Sequence, residues 1–192
     1  DDGQAFVQAI SAQAGTYGSF SIDANGSWVY NLNNSAANVQ ALAAGQIVTE
    51  NFTVNSEDGT ATQNVAVTVT GTNDAPVATV DTATTDENAV LTIDVLANDT
   101  DVDNNHTFTL DSVTSAKGAV SIVNNALVFE ATAADFDHLA AGVPEDVVVT
   151  YIMSDENLVT STSTATITIT GTNDLPVVAA ADVTGGVTEL VT

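Results

Sequence analysis

Gly71-Thr72-Asn73-Asp74-Ala75-Pro76-Val77 returns as Gly171-Thr172-Asn173-Asp174-Leu175-Pro176-Val177, 100 residues later. The stretch ahead of each copy returns as well. Ala66-Val67-Thr68-Val69-Thr70 alternates apolar with polar, and so does Thr166-Ile167-Thr168-Ile169-Thr170. Such alternation predicts a strand with Val or Ile inward and Thr outward. Further back, Leu42-Ala43-Ala44-Gly45 matches Leu139-Ala140-Ala141-Gly142, and Gly26-Ser27-Trp28-Val29-Tyr30 matches Asn125-Ala126-Leu127-Val128-Phe129. Asp2-Gly3-Gln4-Ala5-Phe6 matches Asn104-Asn105-His106-Thr107-Phe108.

A period of about 100 residues suits a seven-strand sandwich. Residues 75–174 read as one complete repeat, with strands expected at 76–83, 89–97, 106–114, 119–123, 126–130, 147–154 and 161–171. Residues 1–74 read as the later part of another repeat, lacking the counterpart of 75–102, and the opening Asp1-Asp2-Gly3 reads as a cut inside a longer protein. Residues 175–192 read as the first strand region of a third. Each Asn-Asp-x-Pro segment is a joint. Proline fixes φ and holds the residue before it extended, and no Gly/Ser-rich linker intervenes, so stiff joints are expected.

Composition agrees with an all-β chain. Hydrophobic residues make up 44%, enough for a core, and the 29 threonines join many valines in favouring strands. The charge is one-sided: 25 acids stand against the single Lys117, for a net charge of −24. That excludes nucleic acid and anionic membrane surfaces as partners. No apolar run reaches the ~20 residues that a membrane-spanning helix needs. With no cysteine there is neither disulfide nor thiol chemistry. So acidic a chain calls for cations: either it binds calcium, which takes oxygen ligands, or it works in salty water.

Three acidic groups stand out: Asp99, Asp101 and Asp103 after the second expected strand, Asn73-Asp74 in the linker, and Asp155-Glu156 after the sixth. In an antiparallel sandwich these loops meet at the end where the chain enters, so all three are expected at the first joint. Isolated acids such as Asp23 and Asp111 read as solvated charges. His106 and His138 lack zinc partners. Asp135, Asp137, Glu145 and Asp146 lack the aromatic subsites of a glycosidase. Asn51-Phe52-Thr53 and Asn105-His106-Thr107 match the glycosylation sequon and carry little weight. Trp28 is expected in the core rather than as a sugar platform, facing away from Tyr30.

The stretch from Gly15 to Val77 resembles a VCBS repeat, through Gly15-Thr16-Tyr17-Gly18, Asn25 to Tyr30, Val39 to Gly45 and Gly71 to Val77. Residues 75–174 resemble bacterial cadherin-like repeats, through Asp86-Glu87-Asn88, Val95 to Asp103 and Gly171 to Val177. The resemblance is to large repetitive RTX-type adhesins. It implies tandem Ig/cadherin-like Greek-key sandwiches stiffened by calcium. It also implies type I secretion, the surface of a Gram-negative bacterium, and a role in adhesion and biofilm formation. The resemblance to cadherins implies calcium ligands at Asn73, Asp74, Asp101, Asp103 and Asp155 for the first joint. For the second it implies Glu87, Asn173 and Asp174, with Glu189 and Asp1 as counterparts of Glu87 and Asp103. Gly71 stands where cadherin linkers carry a further aspartate, so one or two ions per joint are expected. The function expected is a stalk, not an enzyme. The rival is a sandwich that itself binds a ligand or glycan. A last expectation is head-to-tail self-association, with residues 177–192 of one chain supplying the missing first strand of the next.

Overall fold

A computed structural model describes residues 6–175. The third repeat, Asp1, Glu189 and the 177–192 segment lie outside the described residues.

The chain is all-β, in two units. The first opens as an antiparallel meander: β1 (Ile10–Ala14), β2 (Gly18–Ile22) and β3 (Trp28–Leu32). A short helix, α1 (Ala37–Gln40), leads to β4 (Ile47–Asn55), which pairs with β5 (Thr62–Thr70). The inward set alternates as read: Val67 and Val69 are buried while Thr68 and Thr70 are exposed. Phe20 stacks on Phe52 at 4.7 Å, and Ile22, Val54 and Val67 complete the core.

The second unit has two sheets. One runs β7 (Val90–Ile93), β10 (Ala126–Glu130), β9 (Ala119–Val123). The other runs β6 (Asp81–Asp86), β12 (Thr160–Thr170), β11 (Pro144–Ser154), β8 (Thr109–Ser115), with β6 parallel to β12. α2 (Ala133–Phe136) precedes β11. Between the sheets Phe129, Phe136, Tyr151, Ile167 and Ile169 are fully buried. No helix among the described residues is long and apolar enough to cross a membrane.

Several strand boundaries differ from the pattern. Residues 76–80 carry only a bridge, Val77 with Thr100, before regular pairing begins at Asp81. The second strand ends at Ile93, because Asp94 Oδ1 accepts the Leu96 N–H at 3.3 Å and turns the chain. Trp28 is 49% exposed, its ring 5.9 Å from Phe20. It does not face away from Tyr30. Side chains two apart on a strand share a face, and the Tyr30 ring also meets the aromatic core, 6.0 Å from Phe52.

The repeated glycines have a steric reason. Gly71 and Gly171 each bond the loop after the short helix. The Gly71 N–H donates to the Gln46 carbonyl at 2.8 Å, and the Gly171 N–H to that of Val143 at 3.0 Å. A Cβ on Gly71 would run into the Leu42 and Ala43 carbonyl oxygens, and one on Gly171 into that of Ala140. Leu-Ala-Ala-Gly and Gly-Thr-Asn-Asp therefore recur together because they are one packed joint.

Another motif surrounds a buried acid. Glu50 is 8% exposed. Its carboxylate accepts from the Thr16 and Tyr17 amides and the Tyr30 hydroxyl. A Cβ on Gly15 would stand 2.6 Å from that carboxylate, so Gly15 makes the room. Burial opposes the charge, but the donors outweigh it and hold the carboxyl below its usual range. A depressed acid stabilises above its unfolded pKa, and that stability goes as pH falls through the folded value. Glu50→Gln should therefore cost about 1–3 kcal/mol at neutral pH and less in acid, read by denaturant melts at both pH values.

Candidate metal centre

The loop after β7, the β11–β12 turn and the 71–75 linker gather at one end of the second unit. The Asp74 N–H donates to Asp103 Oδ2 at 2.9 Å, and Asn73 Nδ2 donates to Asp155 Oδ2 at 2.7 Å. The Asp103 N–H donates to Asp101 Oδ1 at 2.9 Å, which folds Asp101-Val102-Asp103 into a tight loop. The Asp103 carbonyl contacts His106 Nδ1 at 2.8 Å. Asp155 Oδ1 accepts from the amides of Asn157 at 2.8 Å and Val159 at 2.9 Å. Asn157 Nδ2 donates to Asn73 Oδ1, and Glu156 accepts the Thr107 N–H at 3.0 Å.

Asn73, Asp74, Asp101, Asp103 and Asp155 are thus brought into one network. Asp103 and Asp155 are each 2% exposed. They differ in what surrounds them. Burial, followed by the charges of Asp101, Asp74 and Glu156, pushes the Asp103 carboxyl up against the Asp74 amide bond. Burial also opposes the Asp155 charge, but donation from Asn73, Val159 and Asn157 holds that carboxyl down. Asp103 Oδ1 is buried with no hydrogen-bond partner.

Glu87 lies apart, at the other end with the second joint. It is 3% exposed, and its Oε1 accepts the Thr172 N–H and, at 2.9 Å, the Thr172 hydroxyl. Its Oε2 is buried without a partner. Asn173 Nδ2 donates to the Asp174 carbonyl at 3.1 Å, as Asn73 Nδ2 does to that of Asp74, but Asn173 and Asp174 are exposed.

Asp99 does not join Asp101 and Asp103. Its Oδ1 accepts the Thr79 N–H at 2.7 Å and the Tyr151 hydroxyl at 3.2 Å, so it anchors the entering chain to β11. Asn157 was not singled out in the sequence. Its signal is its place in the Asp-Glu-Asn turn.

Among the described residues, no three His, Asp or Glu side chains are already gathered as a metal cluster. The donor chemistry nonetheless fits a hard cation. Calcium takes six to eight oxygens at about 2.3–2.6 Å, from carboxylates, amide and backbone carbonyls, and water. The joint offers carboxylates on Asp101, Asp103 and Asp155, the amide oxygen of Asn73 and backbone carbonyls. A buried carboxylate oxygen without a donor is costly unless a positive charge faces it. Asp103 Oδ1 and Glu87 Oε2 are two such oxygens, one at each joint.

Residues 73–171 match the family model described as the bacterial cadherin-like domain. Similar solved structures include Drosophila N-cadherin EC1-4, at 17% identity and TM-score 0.45, covering 88% of this chain and 40% of that one. The mouse clustered PcdhgC3 EC1-3 is similar at 12% identity and TM-score 0.43, covering 86% of this chain and 54% of that one. PcdhgB3 EC1-4 stands at 13% and 0.43, covering 86% and 40%. The chain spans about half or less of the length of these structures. No curated protein matches it. The match takes in β6 to β12, from Asn73 of the first joint to Gly171 of the second, and leaves β1 to β5 outside it. On that match the chain belongs to the bacterial cadherin-like domain family.

Proposed function

We propose that this chain is a run of extender repeats from a large, secreted, surface-anchored bacterial adhesin of the RTX type, stiffened by calcium at its joints. The observation that carries the reading is the buried, partnerless Asp103 Oδ1 among Asp74, Asp101 and Glu156. In this reading residues 75–174 are one repeat, 1–74 the later part of a VCBS-like repeat, and 175–192 the start of a third. Family membership supports an extracellular, non-enzymatic adhesion or extender role. Exposed Trp28 lies on β3 and takes no part in the joint network.

Asn73, Asp74, Asp101, Asp103 and Asp155 would hold the ion at the first joint, and Glu87, Asn173 and Asp174 at the second. When bound, calcium supplies the positive charge that clustered carboxylates lack. The residues themselves tie linker to sandwich: Asn73 to Asp155, and the Asp74 amide to Asp103. One backbone bond already crosses the joint, from the Asn104 N–H to the Ala41 carbonyl at 3.1 Å. Screening the carboxylates then favours a single interdomain angle. The working partners are neighbouring repeats. Small-angle scattering tests this: calcium should lengthen and narrow the distance distribution, and chelator should shorten and broaden it. Identical curves in both would overturn the reading.

A further inference from the structure

We propose that the free edge of β9 is a docking surface for β9 of a second copy of this chain. The two strands pair antiparallel about a two-fold axis at Ser121, and two three-stranded sheets become one of six.

β9 is an edge within the complete second unit. Among the described residues it pairs only with β10, in the order β7-β10-β9. A two-residue turn joins the pair, with Asn124 at φ +51° and Asn125 at φ +62°. Both left-handed positions suit the tight turn of a two-residue hairpin. In such a hairpin the residues flanking the turn bond each other, so Val123, Ser121 and Ala119 bond β10. The N–H and C=O of Val120 and Ile122 therefore point away from β10, along the open edge. Both ends of the strand are fixed. The Gly118 N–H donates to Asp135 Oδ2 at 2.8 Å. Asn125 Oδ1 accepts the Leu110 N–H at 2.7 Å, and Asn125 Nδ2 donates to the Phe108 carbonyl at 3.0 Å. An edge held in this way loses little freedom on pairing.

The sequence leaves this edge unguarded. Exposed edges are ordinarily protected by charge or proline. β6 carries Asp81 and Asp86, β8 carries Asp111, and Asp94 follows β7 directly. From Gly118 to Phe129 no residue is charged and none is proline, in a chain of net charge −24. Ile122 stands opposite Leu127, which is 0% exposed, so it faces the core; it is nonetheless 37% exposed, and Val123 is 49% exposed.

A second copy fits because Ala119-Val120-Ser121-Ile122-Val123 has the same character read in either direction. Antiparallel pairing centred on Ser121 sets Ala119 against Val123, Val120 against Ile122, and serine against serine. No charge meets a charge, whereas most other faces of two chains this acidic repel. Val120 and Ile122 exchange their free N–H and C=O groups across the axis. Their side chains then cover the exposed flank of the core on which Val120 already packs. The same strand serves on both sides, so the contact closes as a dimer. The first joint lies at one end of the second unit and the second joint at the other, so the paired chains run in opposite directions, as stalks from two facing surfaces would. That consequence alone rests on the proposed function; the pairing does not.

Sedimentation of the full chain in chelator, at roughly 0.15 M salt to screen its charge, tests the pairing. Five residues make a small contact, so the series should run up to about 1 mM. The mean mass should rise toward a dimer. Ser121→Lys puts like charges opposite each other at the axis and should weaken association at least tenfold, with melting unchanged because Ser121 is exposed. It also lowers the net negative charge, so general repulsion does not explain such a loss. Cysteine variants test the register, since the chain has no cysteine of its own. Facing residues of a pair without mutual bonds lie about 4.5 Å apart at Cα, within disulfide reach. Ser121→Cys should therefore cross-link under mild oxidation. Ala119→Cys should not, because its own copy lies roughly 14 Å away along the strands. A monomer at every concentration overturns the docking. So does association that Ser121→Lys leaves unchanged, which places the contact elsewhere. Equal cross-linking through Ala119→Cys and Ser121→Cys overturns the antiparallel register.

Discussion

Asp103→Asn is expected to leave the calcium-free protein no less stable than the parent, and to abolish most of the stabilisation that calcium gives it. Both halves follow from one atom. Asp103 Oδ1 is buried without a donor, and the charges of Asp101, Asp74 and Glu156 oppose its ionisation. In the absence of an ion, removing that charge relieves repulsion. The Asn oxygen still accepts the Asp74 N–H that now reaches Asp103 Oδ2. In the presence of calcium, the same change takes a charged ligand from the site. An ion that binds only the folded state adds RT ln(1 + [L]/Kd), about 2.7 kcal/mol at a hundredfold excess over Kd. The parent should gain about that much per filled site, and the variant should lose the share that belongs to the first joint. Thermal melts of both proteins in calcium and in chelator give the four values needed. Equal calcium gains in parent and variant would remove Asp103 from the site.

Gly171→Ala should destabilise the second unit by about 3 kcal/mol, because a Cβ there has no room. It would run into the Ala140 carbonyl oxygen and stand 2.8 Å from Leu139 Cβ, both fixed by the loop that the glycine itself bonds. The backbone must shift, and the next residues carry the second joint: the Thr172 amide on Glu87, then Asn173 and Asp174. Gly142→Ala serves as the control. Gly142 has φ +80° but open space around it, so its substitution strains only the local turn. Denaturant melts that show Gly171→Ala no worse than Gly142→Ala would contradict the packing account.

The strands were legible where one face is buried. Thr166 to Thr170 and Val147 to Met153 alternate because alternate residues enter the core. The first joint was legible for a similar reason, since Asn-Asp linkers and an Asp-x-Asp loop repeat a chemical pattern. Other features left no such trace. Asp99 reads like its neighbours Asp101 and Asp103, and only the fold shows its carboxylate turned to Tyr151. Glu50 sits at an inward strand position that alternation assigns to an apolar side chain, and its partners are mostly backbone amides, which sequence does not display. Trp28 reads as core by residue type, yet it stands half exposed on β3, which pairs only with β2 among the described residues.

On the proposed function, the Asn73–Asp74 linker and the 101–103 loop hold calcium together. Calorimetric titration of calcium into the chelator-treated chain measures it directly. The account predicts saturable binding in the parent, and a lower stoichiometry with the same folded spectrum in Asp101→Ala and Asp103→Asn. No saturable binding in the parent, or unchanged stoichiometry in both variants, would contradict it.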